Sequence, residues 1–221
     1  MKKYLSWKTQ TITDFSEQNI TAQYNKGFVF TRVGKGTMDQ TRSLRINLSQ
    51  FEPSSENRRI LRKTENLVLN IEPLPYTNYS WEIGKLGKDF YTTKFGDGTF
   101  SANKIKELLT DGAKSNFNTL LTFSTPEATI GYCITYQNTD LLHYCYPFYL
   151  LQATSYKLPP NLGLGMMLKA ILWAKEQGKK YVYLGSFQRP TDTYKLQFAG
   201  LEWWNGEKWQ NSIEELKKLS F

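Results

Sequence analysis

The chain has 221 residues, enough for one domain or two small lobes with a sizeable core. Hydrophobic residues make up 40% and aromatic ones 15%, which sets the chain among globular proteins and excludes a disordered one. The formal net charge of +8 favours a polyanionic partner (nucleic acid, an anionic surface or an acidic peptide), with a merely soluble basic protein as the equal alternative.

Two cysteines and one histidine are too few for a structural zinc site, so no metal is expected. The first ten residues, MKKYLSWKTQ, carry lysines with no apolar core behind them, so no signal peptide is expected. Apolar runs such as the one ending in Tyr149-Leu150-Leu151 fall short of a membrane span. The expectation is a cytoplasmic protein with no membrane partner.

In chain order, GFVFTRV (27–33) and SLRINLSQF (43–51) alternate as half-buried strands do, with GKGTMDQT between them expected as loop. Pro53-Ser54-Ser55-Glu56 predicts a helix start, with a serine cap and an acid in the first turn. That helix carries Arg58, Arg59, Arg62 and Lys63 as a stripe at i, i+1, i+4 and i+5. NLVLNIEPL (66–74) reads as a strand, 73–80 as a loop, and SANKIKELLTDG (101–112) as an amphipathic helix from a Ser101 cap to a Gly112 stop. TLLTFS, TIGYCITY and LLHYCYPFYLL predict an antiparallel meander. LPPNLGLGMMLKAILWAKEQG (158–178) is a turn and then a helix closed by Gly178, and YVYLGSF (181–187) is a buried-type strand. Asn205-Gly206 between aromatic flanks is the strongest hairpin signal, and SIEELKKLSF a terminal helix.

Cys133 and Cys145 lie in a stretch that folds back near Thr139, which sets them opposite each other. Without an export signal, two reduced thiols are expected rather than a disulfide. His143 is most simply a strand residue, with a catalytic base as the lesser reading.

The order meander, glycine-bearing turn, helix, strand resembles the centre of GNAT acyltransferases, in which backbone N–H groups at a helix start hold an anion. Leu162, Gly163, Leu164 and Gly165 are the candidate cradle for the donor end. The acyl-CoA pattern Q/R-x-x-G-x-G/A has Pro160 at its first position here, so half the motif is present and a plain helix-start turn also accounts for it.

Three segments taken together are more specific. RSLRINLSQFEPSSENRRILRKTENL is similar to a segment of the aminoacyl-tRNA–protein transferases, the arginyl and bacterial leucyl enzymes, through Arg42, Arg45, Phe51, Pro53, Ser54, Arg58, Arg59, Arg62 and Lys63. LGLGMMLKAILWAKEQGKKYVYLG resembles that family's L-S-L-G…Y-L-G stretch, and TYKLQFAGLEWWNGEKW its N-Y-K-x-x-F-x-P-x-E segment, in the family's order over about residues 28 to 209. The family's N-terminal cysteines and the histidine of its aromatic-rich segment are absent.

The resemblance implies an α+β, GNAT-like fold: a mixed, mostly antiparallel sheet flanked by helices, with residues 1–75 as an integrated lobe and 76–221 as the transferase domain. It implies transfer of an amino acid from an aminoacyl-tRNA to the N-terminal amine of a protein or peptide, typically with Asp or Glu first. No cofactor is expected, because an aminoacyl ester is already activated. Positioning supplies roughly 7–11 kcal/mol of such a barrier and an oxyanion donor about 3–4 kcal/mol more.

On this reading Arg42, Arg45, Arg58, Arg59, Arg62 and Lys63 recognise tRNA phosphates or an acidic side chain through forked hydrogen bonds, against the alternative of a solvated helix face. Tyr194 donates a proton to the departing ribose oxygen, since a phenol's ordinary pKa of about 10 keeps that proton on at neutral pH. Lys195 steadies a phosphate, and Tyr183 and Phe187 line the amino-acid slot or are simply core. The rivals are a GNAT N-acyltransferase using acyl-CoA and a non-catalytic module that binds tRNA or N-degrons.

Overall fold

The computed structural model describes residues 5–152 and 157–219, so Met1–Tyr4 at the head of the lysine-bearing start lie outside the described residues. The elements run β1 (Lys8–Thr11), α1 (Glu17–Asn25), β2 (Phe28–Phe30), β3 (Thr37–Gln40), β4 (Ser43–Asn47) and α2 (Ser55–Lys63). Next come β5 (Val68–Pro73), α3 (Trp81–Phe95), α4 (Ala102–Thr110), β6 (Thr119–Ser124), β7 (Thr129–Gln137) and β8 (Leu141–Tyr149). The chain ends with α5 (Leu162–Glu176), β9 (Tyr181–Ser186), a 3-10 helix (Pro190–Gln197), β10 (Leu201–Trp204), β11 (Trp209–Gln210) and α6 (Ile213–Lys218).

The chain forms two compact units, one of residues 1–54, 137–143 and 174–221, the other of 55–136 and 144–173. This cuts the chain differently from a division at residue 75: residues 55–75 group with the second unit. In the first unit the strand order is β11-β10-β4-β9-β8, and a separate three-stranded sheet has the order β1-β3-β2. In the second unit it is β8-β7-β6-β5. The ladders β10·β11, β10·β4, β4·β9, β5·β6 and β6·β7 are antiparallel, while β8 and β9 are parallel, as the α5 crossover between them requires. The architecture is the expected α+β one, a mostly antiparallel sheet with helices.

The first unit's interior holds Tyr24, Met38, Leu44, Ile46, Phe51, Val182, Tyr183 and Phe187, each at most 1% exposed. The second unit buries Ile60, Leu120, Leu121, Phe123, Ile134, Phe148 and Leu168. Each such side chain stabilises the fold by about 1.5–3 kcal/mol.

One element differs from the expectation, and two lie in stretches the sequence left unassigned. GKGTMDQT is no loop throughout: β3 lies inside it and pairs with both β1 and β2, burying Met38. Helix α1 has only Ile20 and Tyr24 buried in nine residues, and its start is fixed by Ser16 Oγ, which accepts from Asn19 N at 3.3 Å. Helix α3 contains Gly84 and Gly87, each costing about 1 kcal/mol in a helix. Both are explained by close approach: a Cβ would fall 2.5 Å from the Tyr79 hydroxyl at Gly84 and 2.5 Å from Ile105 Cδ1 at Gly87.

Other expectations need only new ends. Helix α4 starts at the Ser101 cap but stops at Thr110, with Asp111 and not Gly112 as its C-cap. The Asn205-Gly206 hairpin forms with residues 205–208 as its loop, Trp204 opposite Trp209. Cys133 and Cys145 are free thiols, and burial, then its neighbour Cys145, pushes the Cys133 thiol well up. Among the described residues no helix is long and apolar enough to cross a membrane.

Candidate functional site

The first unit gathers candidate residues at the C-terminal end of β9. Strand β9 pairs antiparallel with β4, and Ser186 lies opposite Ser43. Phe187 N then donates to Arg42 O at 2.8 Å, so Arg42 flanks the end of β9. Gln188 Nε2 donates to Thr41 Oγ1 at 2.7 Å, which ties the two chain segments together.

Arg189-Pro190-Thr191-Asp192 starts the 3-10 helix, with proline at a position that needs no N–H. Asp192 Oδ2 accepts from Gln188 N and Arg189 N, both at 3.0 Å. Its other oxygen pairs with Lys195 Nζ at 3.2 Å, and that ammonium also donates to Ser186 O at 3.0 Å. Asp192 escaped the sequence reading, yet proline followed two residues later by an acid is a helix-start signal.

Arg42, Tyr194 and Lys195 are therefore brought to one strand end. Tyr194 is 43% exposed, whereas Lys195 is 8% exposed, its ammonium 5.8 Å from the Tyr194 ring centre. Arg42 Nε is buried without a hydrogen-bond partner, and desolvation pulls the guanidinium pKa down. Leaving such a donor unmade costs about 1–3 kcal/mol, more for a charged group. An acceptor from a ligand would relieve it.

Tyr183 and Phe187 are 0% and 1% exposed. Tyr183 packs edge-on against Tyr24 at 4.8 Å, and its hydroxyl accepts from Arg45 Nη1 at 3.3 Å. Burial pushes that phenol up to about 12, so it stays neutral. His143 is 1% exposed, with Nδ1 3.0 Å from the Tyr24 hydroxyl. Burial, and then the charge of Lys195, drives its pKa down to about 3, so it is a neutral ring inside the fold.

Arg45 stands apart from the strand end. Its Nε donates to Glu202 Oε2 at 2.6 Å and its Nη1 to Asn25 Oδ1 at 3.2 Å. The guanidinium carbon lies 3.9 Å from the Tyr181 ring centre and 4.0 Å from that of Trp209, a double cation–π clamp.

The second unit brings the remaining candidates together. On α2, Asn57 and Ile60 are buried, while Arg58, Arg59, Arg62 and Lys63 are exposed. Arg59 makes a forked bond to Glu56, at 2.7 and 2.5 Å. Gly163, Leu164 and Gly165 lie inside the first turn of α5 and not in a turn ahead of it; the turn is made by Asn161, at φ +59°. Asn161 O accepts from Leu164 N at 3.0 Å and from Gly165 N at 2.9 Å.

Both glycines are there for close approach. A Cβ would meet the Tyr149 hydroxyl at 2.5 Å from Gly163, and Thr64 Cγ2 at 2.6 Å from Gly165. The second contact seats the N-terminal turn of α5 against the residue that follows Lys63. The positive end of one helix thus adjoins the cationic last turn of the other.

No family model matches the sequence. A curated protein of Ruegeria pomeroyi, named aspartate/glutamate leucyltransferase, is 27% identical over 173 residues, 76% of this chain. This chain spans 61% of the leucyltransferase's length. Among solved structures, L-PGS from Bacillus licheniformis matches 91% of this chain and 68% of its own at 12% identity and a TM-score of 0.49. FemX matches 78% of this chain and 60% of its own at 12% identity and 0.45. A GCN5-related glucosamine N-acetyltransferase region of a fungal β-N-acetylglucosaminidase matches 88% of this chain and 23% of its own, at 14% identity and 0.46.

Proposed function

We propose that the chain is an aminoacyl-tRNA–protein transferase, which moves an amino acid from a charged tRNA to the N-terminal amine of an acceptor protein. The observation that carries this reading is the 173-residue match to the leucyltransferase. That relative's name makes leucine the first donor to try and Asp- or Glu-first peptides the first acceptors. A cytoplasmic enzyme fits this reading, since charged tRNA is its donor.

The α-amine, as the free base, attacks the ester carbonyl and an oxyanion forms; its collapse breaks the ester C–O bond, the ribose oxygen leaves with a proton, and the proton shed by the nitrogen passes through solvent and restores the donor. Exposed Tyr194 supplies the leaving oxygen's proton. Lys195, held by Asp192 and Ser186, is a positioning residue that fixes the turn presenting Tyr194. The half-buried Arg42 guanidinium at this strand end takes a phosphate or the oxyanion. Phe187, buried just past the end of β9, backs this strand end, while Tyr183 is core packed against Tyr24 and Trp209. In the second unit, Arg58, Arg59, Arg62 and Lys63 of α2, beside the positive end of α5, take tRNA phosphates; the Leu164 and Gly165 N–H groups are already given to Asn161 O. The reaction requires no metal or cofactor.

The test mixes the protein with leucyl-, arginyl- and other labelled aminoacyl-tRNAs and peptides of varied first residue. Label should appear on Asp- or Glu-first peptides; label on none from any donor overturns the reading.

A further inference from the structure

The second unit ends its sheet on β5, which pairs with β6 alone. The ladder runs unbroken from Val68 opposite Ser124 to Pro73 opposite Thr119. Just beyond it, Leu74 N donates to Asn118 O at 3.0 Å. The bonding side alternates along an antiparallel ladder, so Val68, Asn70 and Glu72 turn their N–H and C=O groups to β6. Leu69 and Ile71 turn theirs outward, where among the described residues no strand follows.

Such an edge is a template for a further strand, and proteins blunt it with short strands, lysines, prolines or bulges. The other edges follow that rule. Strand β11 has two residues, β2 three, and β1 four with Lys8 at its start. Strand β5 has six, with no lysine and no bulge, and its one proline is the last residue. At its start Val68 is 54% exposed, an apolar side chain on an open edge.

Charge selects the occupant. The head of the edge follows Arg62 and Lys63 of α2, and Lys169 of α5 reaches it to donate to Glu65 O at 3.4 Å. Three cations there outweigh Glu65. The tail carries Glu72. Among the described residues none of Arg62, Lys63, Lys169 and Glu72 enters an ion pair; the pairs of this unit are Arg59–Glu56, Lys85–Asp89, Lys104–Glu107 and Lys114–Asp111. A second copy of the edge laid parallel sets cations on cations. Laid antiparallel, it brings head to tail at both ends, and the two-fold axis closes the pairing after two chains.

With Asn70 on that axis, Leu69 faces Ile71 of the other copy. Each of the two then gives its N–H and its C=O to the other, in both directions, so every outward group of Leu69 and Ile71 is bonded. The two Asn70 side chains meet across the axis as amides that donate and accept in turn. Val68 lies opposite Glu72, whose carboxylate is thereby set toward the basic head.

We propose that β5 is a dimerisation edge, through which two copies of this chain pair antiparallel about Asn70. The inference does not rest on the transfer reading.

The experiment is sedimentation equilibrium of the full chain without tRNA. Six-residue strands make an interface of the small class, under about 1,200 Å², which is weak and transient. The run therefore extends to about 1 mM chain. The average mass should rise with concentration from one chain toward two and level there. Asn70→Lys and Asn70→Asp set like charges opposite each other on the axis, and each should weaken association about fivefold. An equimolar mixture of the two variants should regain it through Lys–Asp pairs. Asn70 is exposed, so neither change disturbs the core. A chain that stays single at every concentration overturns the proposal and leaves the edge to a strand of another protein. A mass that climbs past two chains, an association that both variants keep, or a mixture as weak as its parts overturns it as well. Because tRNA and peptide are absent, failure here leaves the transfer reading standing, and failure of transfer leaves this one.

Discussion

Arg45 and the arginines of α2 belong to one motif in the sequence and to different physical situations in the molecule. The Arg45 side chain is 8% exposed, ion-paired with Glu202 and clamped between Tyr181 and Trp209. Arg58, Arg59 and Arg62 project from an exposed helix face, and Arg59 is paired with Glu56, the two with 47% and 52% exposure. A desolvated charge is costly to leave without its partner, by about 3–5 kcal/mol, whereas an exposed pair contributes about 0–1 kcal/mol. The same residue type therefore serves the fold of the first unit at one position and stands at the exposed surface of the second unit at the others.

Removing the buried member should give the largest effect. Arg45→Ala leaves Glu202 unpaired beside two aromatic rings and should lower unfolding free energy by about 3–5 kcal/mol. Denaturant melts that stay within about 0.5 kcal/mol of the parent would erase the contrast.

His143 sharpens the contrast through pH. Its pKa is lowered from an ordinary value near 6.5 to about 3, so the unfolded chain binds a proton that the folded one refuses. Its contribution to stability is full above about pH 6.5 and is lost as pH falls from there toward 3. His143→Asn should flatten the fall of stability over that window; an unchanged slope would mean that another group causes it.

Tyr194 and Lys195 are neighbours with opposite exposure. Tyr194→Phe should keep the fold and tRNA affinity but slow single-turnover transfer by at least about tenfold, the low end of general-acid help with water as a substitute donor. A parent-like rate returns Tyr194 to packing. Loss of binding and rate together makes it a residue that orders the site.

The smallest effect on stability is expected at the exposed stripe. Arg58→Ala with Arg62→Ala should change stability by less than about 0.5 kcal/mol per site. It should also flatten the salt dependence of tRNA binding, whose log–log slope is about −0.7 to −0.9 per phosphate contacted. An unaltered slope makes the stripe a solvated helix face.

Local patterns made much of the fold legible. The meander β6–β8, helix α5 and its Gly178 stop, and the Ser101 cap of α4 all follow from periodicity and end signals within a few residues. Helix α1 leaves only a faint stripe, two buried residues in nine, and α3 carries two glycines that serve packing but disfavour a helix, so neither stands out in the sequence. Strand β3 was hidden by the glycines and aspartate around it, and its existence depends on pairing with β1 and β2.

The sites were legible as residue types and not as groupings. Antiparallel pairing of β4 with β9 sets Arg42 beside the end of β9, and local spacing does not encode that pairing.

The central claim is transfer from a charged tRNA, and one competition tests it most directly. The protein is given an Asp-first peptide together with leucyl-tRNA and acetyl-CoA, and the peptide mass is read. A gain of one leucyl residue that disappears when the peptide's amine is blocked is the predicted result. A gain of an acetyl group with no leucyl product would contradict the account and make the chain an acyl-CoA-dependent enzyme.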